Sequence, residues 1–569
     1  MYATIDIETT GLNRYKDKIT WIGIGLSKTI DSDFFRLYLI DVQNKEGKKK
    51  ARRILKKLRE QKCKTVLQNG KFDTLFIEQK TGLRIPISED IMLMGTAYDL
   101  VAQHGLKKMA QEYLGVPDWD ISKKEKLSGG DTVKPYLRLD VLYTWKLFQY
   151  FMRHMNEQQM KIYRKLLRPA MLMYRDVERN GAYLVLDDLR AVRAKYDKQE
   201  AEKLAELNAR YEINWNSSGQ VADVLFSTDK ENLPIIKKSA KTGKPSADAE
   251  VLKKLASQGH ELPTLILQYK GANTLNKMFL HRWEDDLAPD GRIHPTFNLT
   301  NVVSGRTSCT DPNLQQVPRT KDVRGIFTAP PGKLFFEADY SQLELRIAAH
   351  YANEPTMLKI YHEGGDIHTQ TAKLMTGGRE PTKEERNKAK AVNFGFLYGM
   401  QAKKFVDYAF NSYGVVFTRQ EAEHFRELYF AKYARLLPWH DEQAQLCELQ
   451  GGVYNLFGRF RKLPLIYSPN KWERASAARR AINTPVQGTG SDLLISAATQ
   501  INKELSPYGL KIVGTVHDSI LGEFYEKDKD WIVPEIRRIM LHPHNMDVFG
   551  VKLNVPLDCD IGVGPWGTH

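Results

Sequence analysis

Over the first 150 residues, short runs in which apolar and polar positions alternate, "YATIDIE", "ITWIGIGL", "FFRLYLI" and "KTVLQ", are separated by stretches with helical spacing, "GKKKARRILKKLREQ" and "YLRLDVLYTWKLFQYFMRHM". This predicts an α/β unit. From about 157 to 210 the pattern is helical, and "LRAVRAKYDKQEAEKLAELNARY" predicts one long exposed amphipathic helix. Residues 229–246, "DKENLPIIKKSAKTGKPS", are Lys-rich and broken by Gly and Pro, which predicts either a mobile basic tip on a helical stalk or a solvated loop. A second α/β region starts near 291 and encloses a helical insert from about 366 to 479. Near its end "GTVHDSILGEF" (514–524) has apolar residues on both sides of His517-Asp518-Ser519 and predicts a hairpin with Asp518 at its tip.

At 569 residues the chain exceeds one core, so two or more domains are expected. The 84 Lys and Arg outnumber the 69 Asp and Glu, a net charge of +15 that suits phosphate neutralisation without establishing it. No run reaches the roughly 18 apolar residues of a membrane helix. The N-terminus passes from Met1 almost directly into a strand, with nothing resembling a signal peptide. Cys63, Cys309, Cys447 and Cys559 form no CxxC pair, which argues against a zinc site or disulfide framework and for a reducing, cytoplasmic setting.

Two constellations change the picture. In "TIDIETTGL", Asp6 and Glu8 share one face of a strand, an arrangement that taken alone also suits a solvent-facing strand. Downstream, "VLQNGKFDTLF" puts Asp73 after a strand and an Asn-Gly turn, and "YLRLD" puts Tyr136 and Asp140 on one helix face. Four carboxylates and a phenol from three segments suit a pair of hard divalent cations such as Mg²⁺. The set resembles the DEDD exonucleases of the Tyr subtype, with Asn69 to Asp73 as the N-x-x-x-D element; the resemblance implies 3′→5′ proofreading, with Tyr136 orienting the attacking water.

The second constellation starts at "GKLFFEADYSQLELRIAAH", an apolar strand ending at Asp339, followed by a helix with Glu344 and Arg346. A carboxylate there needs a partner or a metal, and Asp518, 179 residues away, is the candidate. Between them, in "RNKAKAVNFGFLYG", Arg386, Lys390, Phe394 and Tyr398 recur every four residues, one helical stripe of two cations and then two aromatics. A solvated basic end running into a buried apolar end fits this stripe as well as a phosphate-and-base grip does.

"DYSQLELR", "RNKAKAVNFGFLYG", "VHDS", "SGRTSCTDPNLQQVP" and "RRAINTPVQGTGSD" together resemble the family A DNA polymerases, and with the exonuclease motifs the likeness covers essentially the whole chain. It implies a ribonuclease H-like exonuclease domain over 1–155 and a right-hand polymerase domain over 156–569, with thumb about 165–290, palm about 291–365 and 480–569, and fingers about 366–479. With the exonuclease likeness starting at residue 1, the resemblance leads to the expectation of a compact, phage-type form without a 5′ nuclease domain.

The resemblance also implies roles. Asp339, the Tyr340 position and Asp518 hold two Mg²⁺ ions, with Mn²⁺ as a substitute, and Asp6, Glu8, Asp73 and Asp140 hold two more. Arg386, Lys390, His368 and Gln342 serve the incoming triphosphate, and Lys390 is also counted as catalytic. Phe394 and Tyr398 border sugar and base, Phe394 implying preference for a 3′-hydroxyl over dideoxy substrates, and Glu344 is the steric gate against ribonucleotides. Arg306, Asn313, Gln316, Arg479, Asn483, Gln487 and His517 touch primer or template, and Lys237, Lys238, Lys241 and Lys244 follow duplex phosphates. The implied partners are primer-template DNA and dNTPs, with the chain acting as a monomer and no membrane. Family members commonly carry Glu where this chain has Ser519, so a neutral hydroxyl there is expected to leave a water-bridged contact to the primer.

Overall fold

The computed structural model describes residues 1–122, 125 and 132–567. Near the N-terminus, β1 (Tyr2–Thr9), β2 (Ile19–Ser27), β3 (Arg36–Asp41), β4 (Lys64–Leu67) and β5 (Glu89–Asp90) form one sheet in the order β3-β2-β1-β4-β5. The β2 strand runs antiparallel to β1 and β3, whereas β1, β4 and β5 are parallel. The strand alternation decides which face is core: Ile5 and Ile7 are buried with Leu55, Phe76 and Ile77, so Asp6 and Glu8 project from the other side.

Helix α1 (Gly70–Thr81) starts after Asn69, which takes a left-handed φ of 53° that Asn tolerates better than most residues. Helix α2 (Val133–His154) lies across the Asp6 face. Its close approach depends on Gly23, the register partner of Asp6: a Cβ there would sit 2.6 Å from Val141 Cγ2.

The long helix expected after residue 189 is α4 (Leu186–Asn208); α3 (Arg168–Asn180) precedes it. Beyond α4, Leu207, Trp215, Val224, Leu252 and Ile266 form a separate small core, so this projection folds around its own interior. Within the Lys-rich segment, Ser239 N–H donates to Lys244 O at 2.8 Å and Ser246 N–H to Lys237 O at 2.9 Å, a tight hydrogen-bonded turn.

The second sheet orders β6 (Lys333–Tyr340), β7 (Lys511–Val516), β8 (Ser519–Tyr525) and β9 (Cys559–Val563) as β7-β8-β6-β9, all antiparallel. The chain between β6 and β7 is largely helical, including α5 (Leu343–Ala352), α6 (Ile367–Met375), α7 (Lys383–Phe396) and the 35-residue α8 (Lys471–Leu505). A Thr382–Glu385 capping box starts α7. It ends at Phe396, so Tyr398 stands in the following turn, a correction to the expected four-residue stripe on one helix.

The two halves are joined by a buried ion pair. Lys71 of α1 donates to Glu178 of α3 and to the Phe297 carbonyl, and Glu178 also accepts from Phe297 N–H at 2.9 Å.

Candidate active sites

At the first site the carboxylate oxygens of Asp6, Glu8 and Asp140 lie within 4.8 Å of one another. Asp73 belongs to the neighbourhood but not to this cluster. Its Oδ1 accepts from Ile7 N–H at 3.0 Å, where β1 continues past its pairing with β4, so one of its oxygens is spent on the strand edge.

Lys107 stands among the acids. Its ammonium donates to both Asp140 oxygens at 2.6 and 2.8 Å and to the Tyr136 phenol oxygen at 2.7 Å. Trp119 Nε1–H adds a bond of 2.7 Å to Asp140 Oδ1. Burial, with Asp140, Asp73 and Glu8 nearby, holds the Asp6 carboxyl well above the usual carboxylate range, and Lys107 opposes this. Several hard oxygen donors with one ammonium among them leave surplus negative charge, which fits a divalent cation.

At the second site the hairpin turns through His517 and Asp518, between Val516 and Ser519, with His517 at a left-handed φ of 54°. Asp339, at the end of β6, pairs in register with Ser519 on one side and Asp560 on the other. Tyr340 N–H donates to Asp518 O at 3.3 Å, which brings the two aspartates together from distant sequence. Burial and then Glu344 push the Asp518 carboxyl up to about 7, and burial raises Asp339 as well. Adjacent carboxylates that resist ionising without a cation have the donor chemistry of a divalent-metal site. The Tyr340 side chain is not part of it: its hydroxyl donates to Met540 O at 2.7 Å on the opposite face, leaving only its main chain available.

Glu344 is clamped, with Arg306 donating to one oxygen and the Tyr398 hydroxyl to the other at 2.6 Å. Arg306, expected on DNA, is therefore held by Glu344 in this structure. Asp366 gathers three groups: it caps α6, accepts from Arg386 Nε at 2.6 Å and accepts from Gln342 Nε2 at 2.8 Å. Lys390 is half-buried and has no ion-pair partner among the described residues, and burial followed by the Arg386 charge lowers its pKa. His368 is buried and packs on Phe394, ring centroids 5.7 Å apart. Its Nδ1 accepts from Asn393 Nδ2 at 3.0 Å, which leaves Nε2 to carry the proton as a neutral donor. Burial lowers its pKa to about 4.

Arg479, Asn483 and Gln487 recur every four residues on α8, exposed or half-exposed, and the buried Asn483 Oδ1 has no hydrogen-bond partner among the described residues. Gln316 and His517 are exposed, whereas the Asn313 side chain caps a short turn through Gln315 N–H at 3.0 Å. In the Lys-rich turn, Lys237 pairs with Glu250 at 2.6 Å and Asp248 at 3.0 Å; Lys238, Lys241 and Lys244 show no ion pair among the described residues.

Compared with known families, residues 186–568 match DNA polymerase family A and residues 2–156 match a 3′-5′ exonuclease family. The chain belongs to DNA polymerase family A. Among its relatives, DNA polymerase I of Pseudomonas aeruginosa is 32% identical over 513 residues, covering 84% of this chain and 54% of that protein. The thermostable DNA polymerase I of Thermus aquaticus is 33% identical over 424 residues, 72% of this chain and 48% of that one. The chain thus spans about half the length of the curated relatives it matches. A solved structure described as the POL domain of Pol1 from M. smegmatis in complex with DNA primer-template and dNTP has the same fold, with a TM-score of 0.81, 23% identity and coverage of 99% of this chain and 94% of that one.

Four residues of this family A chain escape motif reading. Lys107 and Trp119 lie outside the exonuclease motifs, in "GLKKMA" and "VPDWD", with no local pattern to single them out. Asp366 carries a cap signal but nothing that announces its hold on Arg386. Arg319, just past "SGRTSCTDPNLQQVP", is exposed, and its charge acts on Asp339, Lys390 and His517.

Proposed function

We propose that this chain is a template-directed DNA polymerase that adds dNTPs to a primer 3′-hydroxyl and removes mispaired ends with its own 3′→5′ exonuclease. The observation that carries this reading is the juxtaposition of Asp339, at the end of β6, with Asp518 in the adjacent β7-β8 turn, Asp518 lying within electrostatic reach of Glu344, Arg306 and Tyr398. The separate Asp6, Glu8 and Asp140 cluster supports the second activity. In this reading 1–155 is the exonuclease domain, and thumb, palm and fingers follow with the boundaries expected from the motifs.

Asp339 and Asp518 would hold two Mg²⁺ ions, and Asp6, Glu8, Asp140 and the free oxygen of Asp73 two more. Bound there, the metals supply an activated attacking oxygen and charge neutralisation on the phosphates. The chain's own residues do the rest. Lys390 and Arg386 bind the triphosphate, Arg386 exchanging Asp366 for a phosphate oxygen, and His368 Nε2–H donates to the same group. Phe394 and the Tyr398 ring border sugar and base, while the Tyr398 hydroxyl and Arg306 keep Glu344 where a ribose 2′-hydroxyl would meet it. Arg479, Asn483, Gln487 and His517 contact the template and primer strands. At the other site Lys107 fixes the Tyr136 phenol, which orients the attacking water. The substrates are primer-template DNA and dNTPs, and the active species is a monomer. Four free, buried cysteines suit a reducing cytoplasm, and no described helix is long and apolar enough to cross a membrane.

The test is a labelled primer on a template with Mg²⁺, with and without dNTPs. Asp339→Asn should abolish extension and leave 3′ degradation intact, and the Asp6→Ala, Glu8→Ala double variant should do the reverse. Loss of both activities in either folded variant overturns the two-site reading.

A further inference from the structure

The far end of the second sheet carries a concentration of positive charge that the polymerase reading does not use. Six residues back along β6 from Asp339, about 20 Å at strand spacing, Lys333 lines an open cavity of about 450 Å³ together with Arg179, Arg292, Lys511, Asp176 and Glu523. It lies between the β7-β8 hairpin, the end of α8 and α3.

The two carboxylates at this cavity are already shared. Glu523, fully buried, accepts from Arg292 at 2.9 and 3.0 Å and from Lys333 at 3.2 Å. Asp176 serves Arg84 at 2.7 Å and Arg179 at 3.1 Å. Lys511, the register partner of Glu523 and half-buried, meets no carboxylate at ion-pair distance among the described residues. Burial, Arg292 and Lys333 all lower its pKa, with Glu523 opposing. A half-buried cation with no carboxylate of its own, set among cations that share theirs, is unfavourable, and an external anion relieves the imbalance.

We propose that this cavity is an anion-binding site for a compact phosphate-bearing ligand, held by Lys511, Lys333, Arg292 and Arg179. Arginine forks and lysine ammoniums together suit a diphosphate group better than a single carboxylate. The site is independent of both metal clusters, so its failure leaves the proposed activities untouched.

The experiment is thermal unfolding of the full chain in EDTA, without DNA, against increasing inorganic pyrophosphate and, separately, dATP, with sodium chloride at matched ionic strength as control. To silence the other phosphate grip, all proteins carry Arg386→Ala and Lys390→Ala. The expected result is a saturable rise in Tm with pyrophosphate that Lys511→Met abolishes, while without anion Lys511→Met melts at or above its parent. A larger shift with dATP identifies a nucleotide as ligand, and equal shifts identify the phosphate group alone. The proposal is overturned by a pyrophosphate shift no larger than that of chloride, by an undiminished shift in Lys511→Met, or by a Lys511→Met protein that melts below its parent without anion.

Discussion

Ser519 Oγ–H donates to Asp339 Oδ1 at 2.8 Å, linking the residue after one candidate metal-binding aspartate to the other. Family members commonly carry Glu here, and the expectation from the sequence is that this neutral hydroxyl leaves a water-bridged contact to the primer. In the structure it orients a carboxylate, because the antiparallel register sets Ser519 directly opposite Asp339. A hydrogen bond to a charged group contributes roughly 1.5–3 kcal/mol, so Ser519→Ala should slow primer extension about tenfold and raise the Mg²⁺ concentration for half-maximal extension, with 3′ degradation unchanged. Ser519→Glu, which brings an anion against Asp339, should alter metal dependence more. An unchanged Mg²⁺ titration in both variants contradicts the positioning role.

Arg306 and Tyr398 hold Glu344 from both sides. Arg306→Met removes the charged partner, and the loosened carboxylate should admit ribonucleotides. The ratio of rNTP to dNTP incorporation on a primed template is expected to rise several-fold, with the exonuclease unaffected.

Lys107 is the cation of the first cluster and the anchor of the Tyr136 phenol. Replacing it with Met should reduce 3′ degradation at least tenfold, since the phenol loses its support. Half-maximal activity should move to lower Mg²⁺, because the ammonium no longer competes for Asp140. Single-turnover degradation across a metal titration separates the two effects.

His368 is buried with its pKa lowered to about 4, below the ordinary 6.5. The folded state disfavours its protonated form, so its contribution is complete above pH 6.5 and is lost as pH falls toward 4, in total about 3 kcal/mol. Arg386 and Lys390 act in the same direction, and Asp366 opposes them. Urea unfolding at pH 7 and pH 4.5 should show a smaller loss for His368→Gln than for the unaltered protein.

The Lys71–Glu178 pair is buried on both sides. Lys71→Met leaves buried Glu178 without its ion-pair partner and should cost roughly 3–5 kcal/mol, seen as a lower urea midpoint. Glu178→Gln together with Lys71→Met should recover part of the loss.

Strand alternation is legible in the residue order alone: the positions of Ile5 and Ile7 against Asp6 and Glu8 say which face is core, because a strand's period of two leaves no alternative. The turn at His517-Asp518 and the four-residue spacing that puts Arg386 and Lys390 on one helix face are equally local, and the family motifs tie them together. Whether Asp73 joins the metal cluster or caps the Ile7 edge, whether Arg306 faces DNA or Glu344, and whether Tyr398 rides on α7 or follows it are decided by how separate segments meet. Lys107, Trp119 and Asp366 gain their roles only when helices and strands from different segments pack together. Residue spacing controls where a side chain points along its own element, whereas its hydrogen-bond partner depends on distances between elements, which a linear pattern does not encode.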